Sequence, residues 1–250
     1  PLLVGLLSQH SRLVYQHGEL AVPAESLVPG DHHVFVPDEQ ASRAFSRAGM
    51  AEENIAVTGL CIEPDLLPLA ETSYHARRER LSGGEALGIA MFSSGAEPGA
   101  HVKRLVAAAL SATRANHRVY IFAATNGRLQ HEASRAFREA ELHLKSHAGG
   151  PRPGTAAIYR FGNRDELNAL TASHFAGFDL FVAPAHERTQ WALGLGLPMF
   201  ILEPAIGGYA PLNRDRMLRE GVGRTIGTGD TAAFGQTIGS MRADGSLDAM

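Results

Sequence analysis

The stretch Gly177–Gly223 reads GFDLFVAPAHERTQWALGLGLPMFILEPAIGGYAPLNRDRMLREGVG, and its reading decides the fold. An apolar run of strand length, Phe178–Ala183, ends in a polar turn at Pro184–Arg188. A helical segment, Thr189–Leu195, follows and stops at Gly196. A second apolar run at Pro198–Leu202 leads into a glycine-bearing loop, Ala205–Pro211, and a short helix over Asn213–Glu220. Strand, helix, strand, loop, helix is the grammar of a parallel sheet with crossover helices. In such sheets ligands sit outside the carboxyl ends of the strands. The loops 184–190 and 205–213 leave consecutive strands at that end, so both are expected to line one crevice.

Working outward, the same alternation runs upstream. Ala86–Phe92 is strand-like and opens into the small-residue loop Ser93–Gly99. Val102, Leu105, Val106, Ala109 and Leu110 then recur at helical spacing. Val119–Ala123 predicts a strand, Leu129–Leu144 a helix, and Ala156–Phe161 another strand before Asp165 and Glu166 start a helix. Nearer the N-terminus, Arg12–Gln16, His33–Val36 and Ile55–Leu60 predict three strands, with a helix capped by Asp38 and stopped by Gly49 between the last two. The segment Glu63–Gly84 reads as a connection carrying a short polar helix, and its Arg77-Arg78-Glu79-Arg80 run as a solvated face. The expected class is α/β, doubly wound and Rossmann-like. Residues 1–68 end one unit, 69–84 link, and 85–250 form the second.

The 250 residues, 44% apolar and 20% charged, suit a soluble globular chain with one or two such units. A net charge of −3 argues against a nucleic-acid partner. The single cysteine, Cys61, excludes an intrachain disulfide and fits a reducing, cytoplasmic setting. Pro1–Leu7 is too short to span a bilayer, leaving peripheral contact as the membrane association to consider. The chain opens without Met, directly on an apolar run, so an N-terminal part is expected to be missing.

Four polar loops offer chemistry. Ser93, Ser94 and Gly95 let backbone N–H groups approach an anion at a helix start, although the loop is neither a P-loop nor a GxGxxG fingerprint. Phe161-Gly162 ends another strand. His186, Glu187, Arg188, Thr189 and Gln190 place five polar residues in one strand-to-helix turn, more than helix capping needs. Gly207 and Gly208 let backbone close on a ligand, and Asn213 offers an amide with two donors and an acceptor site. In the first unit His17 and Glu19 stand at a strand end, where His17 is either a general base or structural. Trp191 is either core or a stacking surface. No cluster has metal-ligand spacing: His32 and His33 would point to opposite faces of a strand.

These segments, in this order, resemble the two-domain GT-B glycosyltransferases, and within them the MurG and monogalactosyldiacylglycerol synthase branch. LVYQHGELAVPAESLVPGDHHVFVPDE (13–39) is similar to the closing strands of the family's N-terminal domain, with its His-Glu motif at His17 and Glu19. NIAVTGLCIEP (54–64) resembles the segment before the interdomain linker. ALGIAMFSSGA (86–96) resembles the first strand and Gly-Ser loop of the donor domain. IYRFGNRDELNAL (158–170) with FDLFVAP (178–184), and ALGLGLPMFILEP (192–204) with APLNRDRMLREGVG (210–223), resemble the base-binding segment and the end of the donor site. The chain departs from the pattern at three points. Pro184-Ala185-His186 replaces a glycine-bearing turn, Trp191 stands where the family's ribose-gripping Glu falls, and Ala210-Pro211 stands near its acidic/Gln pair.

The resemblance implies metal- and cofactor-independent transfer of a sugar, UDP-linked in the first instance, to an unidentified acceptor. His17 and Glu19 would act in catalysis and the four loops would bind the donor. Trp191 favours an alternative, a non-catalytic nucleotide-sugar binder. A nucleotide-sugar 2-epimerase ranks last, because that family's Thr-Glu-Arg-Pro-Glu run is absent.

Overall fold

The computed structural model describes residues 7, 12–27, 32–146, 149–227 and 229–250. Two all-parallel sheets make up its architecture. The first holds β1 (Val14–Gln16), β2 (His33–Val36) and β3 (Ile55–Val57) in that order, with helix α1 (Glu39–Arg47) between the last two. Asp38 caps α1 by accepting from the Ala41 N–H at 2.9 Å. Val34, Val36, Ala41 and Phe45 form the small core beneath it.

The second sheet holds β4 (Gly88–Phe92), β5 (Arg118–Ala124), β6 (Leu144–Ser146), β7 (Thr155–Phe161), β8 (Leu180–Ala183), β9 (Met199–Leu202) and β10 (Gly223–Ile226). Their spatial order is β10-β9-β8-β4-β5-β7-β6. Helices α3 (Gly99–Arg114), α4 (Arg128–Glu139), α5 (Arg164–His174), α6 (Thr189–Gly194), α7 (Tyr209–Arg219) and α8 (Phe234–Ala243) complete this unit. Buried side chains on its two faces form two separate cores, as expected of a doubly wound sheet whose strands are apolar on both sides. β4 and β8 are buried throughout. The chain leaves β4 toward β5, β6 and β7, then returns to β8 on the other side of β4. That reversal opens a crevice between the loops after β4 and β8.

Three expectations change. The helix predicted over 129–144 ends at Glu139, and Leu144 pairs with Ala156 in edge strand β6. The chain turns at Glu141, which adopts φ 54°. Gly223–Ile226 adds a strand that GRTI, polar at its two middle positions, did not announce. The stretch expected to link the units holds a fourteen-residue helix, α2 (Ala70–Gly83), and its basic run is only partly solvated. Arg77 is 1% exposed and donates to the carbonyls of Phe178, Leu195 and Gly196. Arg80 Nε pairs with buried Asp179 at 2.7 Å. A guanidinium has five donors in a rigid fork, so it can gather carbonyls that strand and helix ends leave unpaired. The same Asp179 accepts from the Gly88 N–H at 2.6 Å. Residue 88 must be glycine because a Cβ there would collide with the Gly177 carbonyl.

Candidate functional site

A cavity of about 300 Å³ lies at the carboxyl ends of β4, β5, β7 and β8. Its floor is aromatic: Phe92 and Phe122 stack with ring centroids 4.7 Å apart. Ser93, Ser94 and Gly95 form one wall, Phe161, Asn163 and Arg164 another, and His186, Glu187 and Arg188 a third. Glu97 also reaches it, but its carboxylate is committed to the start of α4, accepting from the Leu129 N–H at 3.0 Å. Charge opposite a helix N-terminus is favourable there.

Arg188 is 8% exposed, and its guanidinium carbon stands 4.5 Å from the Phe92 ring centroid and 5.4 Å from that of Trp191. Burial would raise the Glu187 carboxyl, but Arg188 and Arg164 outweigh it and hold the group below its ordinary value. Arg164 bridges Glu187 at 3.1 Å and Glu63, which follows β3, at 3.2 Å. Burial lowers His186, so its imidazole is neutral at pH 7.

The remaining residues expected at the site go elsewhere. The Gly162 N–H donates to Glu166 Oε2 at 2.6 Å, a helix-start contact. Thr189 is buried and donates to the His186 carbonyl at 2.8 Å. Gln190 is also buried and faces the first unit, accepting from the Cys61 N–H and donating to the Gly18 carbonyl. Asn213 does the same: it accepts from the Ala21 N–H and donates to Glu19 Oε2 at 2.8 Å and to the Ala185 carbonyl at 3.1 Å. Gly207 has φ 94°, which carries the loop toward the first unit. There Gly208 lies against Glu25 and the Tyr209 hydroxyl meets that of Ser26 at 2.7 Å. The loop after β9 therefore joins the two units and does not line the cavity.

His17 is 1% exposed with both ring nitrogens engaged. Nε2–H donates to the Ala21 carbonyl at 2.9 Å, leaving Nδ1 to accept from the Tyr15 hydroxyl at 3.1 Å. Burial lowers its pKa.

Glu19 stands between the units. Burial pushes it from an ordinary 4.5 up to about 7, the Asn213 bond acting the other way and Glu187 adding repulsion. Folded Glu19 keeps a proton that the unfolded chain has already lost, so its contribution to stability falls as pH rises from 4.5 to about 7. Glu19→Gln is expected to raise Tm over wild type at about pH 8 and to leave it unchanged at about pH 5. An equal Tm difference at both pH values would refute the assignment.

Trp191 does not line the cavity. It is 2% exposed, edge-on to Phe92 at 5.5 Å, and its Nε1–H donates to Glu63 Oε2 at 2.7 Å. The register that would place Trp191 against a ribose does not hold. Phe92, Phe122, Asn163 and Arg164 are cavity residues absent from the sequence-based site. The phenylalanines read as strand residues; Asn163, which follows the strand expected at Ala156–Phe161, caps α5 by accepting from the Glu166 N–H.

Fold and cavity together define an α/β protein with a Rossmann-like parallel sheet and a ligand-sized cavity at its switch point. No family model and no curated protein matches the chain. Among solved structures 23 chains match. One is Anabaena Alr3699/HepE, crystallised in complex with UDP and glucose, with a TM-score of 0.49 and 13% identity over 98% of this chain. The present chain spans 66% of that structure's length. No described helix is long and apolar enough to cross a membrane, and no described group of His, Cys, Asp or Glu side chains could hold a metal ion.

Proposed function

We propose that the chain is the donor-binding part of a GT-B-type glycosyltransferase, of the MurG and monogalactosyldiacylglycerol synthase kind that its sequence resembles. The cavity at the switch point carries the reading, because it joins the Ser93–Gly95 loop to a buried arginine and an aromatic floor. A nucleotide sugar, UDP-linked in the first instance, fills it with its base toward Phe161–Arg164 and its diphosphate toward Ser93–Gly95. Across the unit boundary Glu19, with a pKa near 7, is suited to accept the proton of an acceptor hydroxyl. That oxygen bonds to the anomeric carbon as the bond to the diphosphate breaks. His17 positions this turn through its contacts with Tyr15 and Ala21. Gln190 and Asn213 hold Glu19 and the first unit against the cavity wall.

A second reading, a non-catalytic nucleotide-sugar binder, is favoured by His17, which is buried with both ring nitrogens engaged and so is not free to act as a base. Titration with UDP-, GDP-, TDP- and CMP-sugars, followed by thermal unfolding and by release of free nucleotide, separates the two. A ligand at a hundredfold excess over its Kd should stabilise the fold by about 2.7 kcal/mol. Stabilisation with nucleotide release supports transfer. Stabilisation without release, in the presence of varied hydroxyl acceptors, supports the binder. No shift with any of the four defeats both readings.

A further inference from the structure

We infer that Arg188, with Ser93 opposite it, is the diphosphate anchor of the cavity, an assignment that rests on the nucleotide-sugar reading and narrows it. Arg188 follows β8 and Ser93 follows β4. Those strands are neighbours, paired from Ile89–Leu180 to Met91–Val182, so the two residues flank the switch-point crevice. Both line the cavity. Arg188 is more than nine-tenths buried, yet its Nε has no hydrogen-bond partner, and Ser93 Oγ is likewise buried and unpartnered. Its carboxylate neighbour is Glu187, at 3.6 Å from Nη1, and Glu187 is shared with Arg164.

A guanidinium withdrawn from water with so little compensation is unfavourable by itself. The Phe92 and Trp191 rings hold it in place by cation–π contact, which fixes its plane but leaves its Nε–H without a hydrogen-bond partner. A phosphate oxygen pair accepts such a fork in two parallel bonds. A second anionic centre is favoured on the Ser93 side, where the small-residue loop leads into α3. That helix has sixteen residues and no side-chain cap at its N-terminus. Of the acidic groups facing this region, Glu97 is tied to the Leu129 N–H and Glu63 to Trp191 and Arg164. Two anion-favouring elements facing each other across one crevice fit a diphosphate better than a single carboxylate.

The test is calorimetric titration of wild type, R188M and R188K with inorganic pyrophosphate, UDP and uridine. Methionine keeps an unbranched apolar stem beside Phe92 but removes the charge and the donors; lysine keeps the charge but loses the fork. Wild type should bind pyrophosphate and UDP, and R188M should weaken both by about tenfold or more while leaving uridine affinity unchanged. R188K should fall between, and it decides the matter if R188M does not fold: UDP affinity equal to wild type in R188K then overturns the anchor. UDP binding that is equal in wild type and R188M overturns it while leaving the nucleotide reading intact. A loss of uridine affinity as large as the loss of UDP affinity overturns it too, since Arg188 would then only shape the cavity. Arginine-dependent pyrophosphate binding without UDP binding supports the anchor and removes the nucleotide reading.

Discussion

Trp191→Glu is expected to destabilise the fold by about 4 kcal/mol or more, enough to unfold much of a marginally stable chain. The indole is 2% exposed and packs among Phe92, Phe175 and Phe181 at centroid distances of 5.5, 6.4 and 5.8 Å. A shorter side chain leaves a void there, and removing packed methylene-sized volume costs more than its transfer term alone. The new carboxyl would also lie near Glu63, whose carboxylate now accepts the indole N–H at 2.7 Å. Two carboxyls in a dry site repel, so one must hold a proton or the region must open. Trp191→Phe keeps most of the packing and loses one charge-assisted hydrogen bond, a loss of about 1.5–3 kcal/mol. Urea unfolding midpoints of the two variants check the ranking. A Trp191→Glu protein as stable as wild type, with tighter nucleotide binding, would restore the tryptophan to the ligand surface.

The second large effect concerns Asp179, which is fully buried between α2 and the sheet. It accepts from Arg80 Nε at 2.7 Å and from the Gly88 N–H at 2.6 Å, and Arg118 stands at 3.6 Å. Asp179→Ala strips all three of their acceptor and leaves two guanidinium groups facing a void. Breaking a buried ion pair from one side is expected to cost about 3–5 kcal/mol. Asp179→Asn keeps an acceptor for the Gly88 N–H and should lose less. The injury should also spread to α2, because Arg80 lies on that helix beside Arg77. Native-state hydrogen exchange should therefore show faster opening of residues 70–83 in Asp179→Ala. A loss below about 1 kcal/mol with unchanged exchange would show that the pair is incidental.

The sequence by itself determined the parallel sheet and the end of it where a ligand would lie. Strand-length apolar runs such as Phe178–Ala183 and Ala86–Phe92 alternate with helical segments, and that alternation admits few topologies. Topology then carries every loop after a strand to one edge, which is why Ser93–Gly95, Phe161 and His186–Arg188 meet around one cavity. Periodicity failed where elements are short. Helix α6 spans six residues with Thr189, Gln190, Trp191 and Ala192 all buried, so it presents no polar face from which to read a direction. Edge strands β6 and β10 have three and four residues, and β10 buries only its two ends, Gly223 and Ile226, without an apolar run.

Other assignments needed partners distant in the chain. Gln190 and Asn213 look like ligand-binding amides until Gly18, Cys61, Glu19 and Ala21 of the other unit arrive to take their hydrogen bonds. Arg77 sits in a run that reads as solvated, and only the packing of α2 brings it the carbonyls of Phe178, Leu195 and Gly196. A polar side chain takes its role from whichever partner reaches it first in a dry interior, and only the tertiary structure decides that partner.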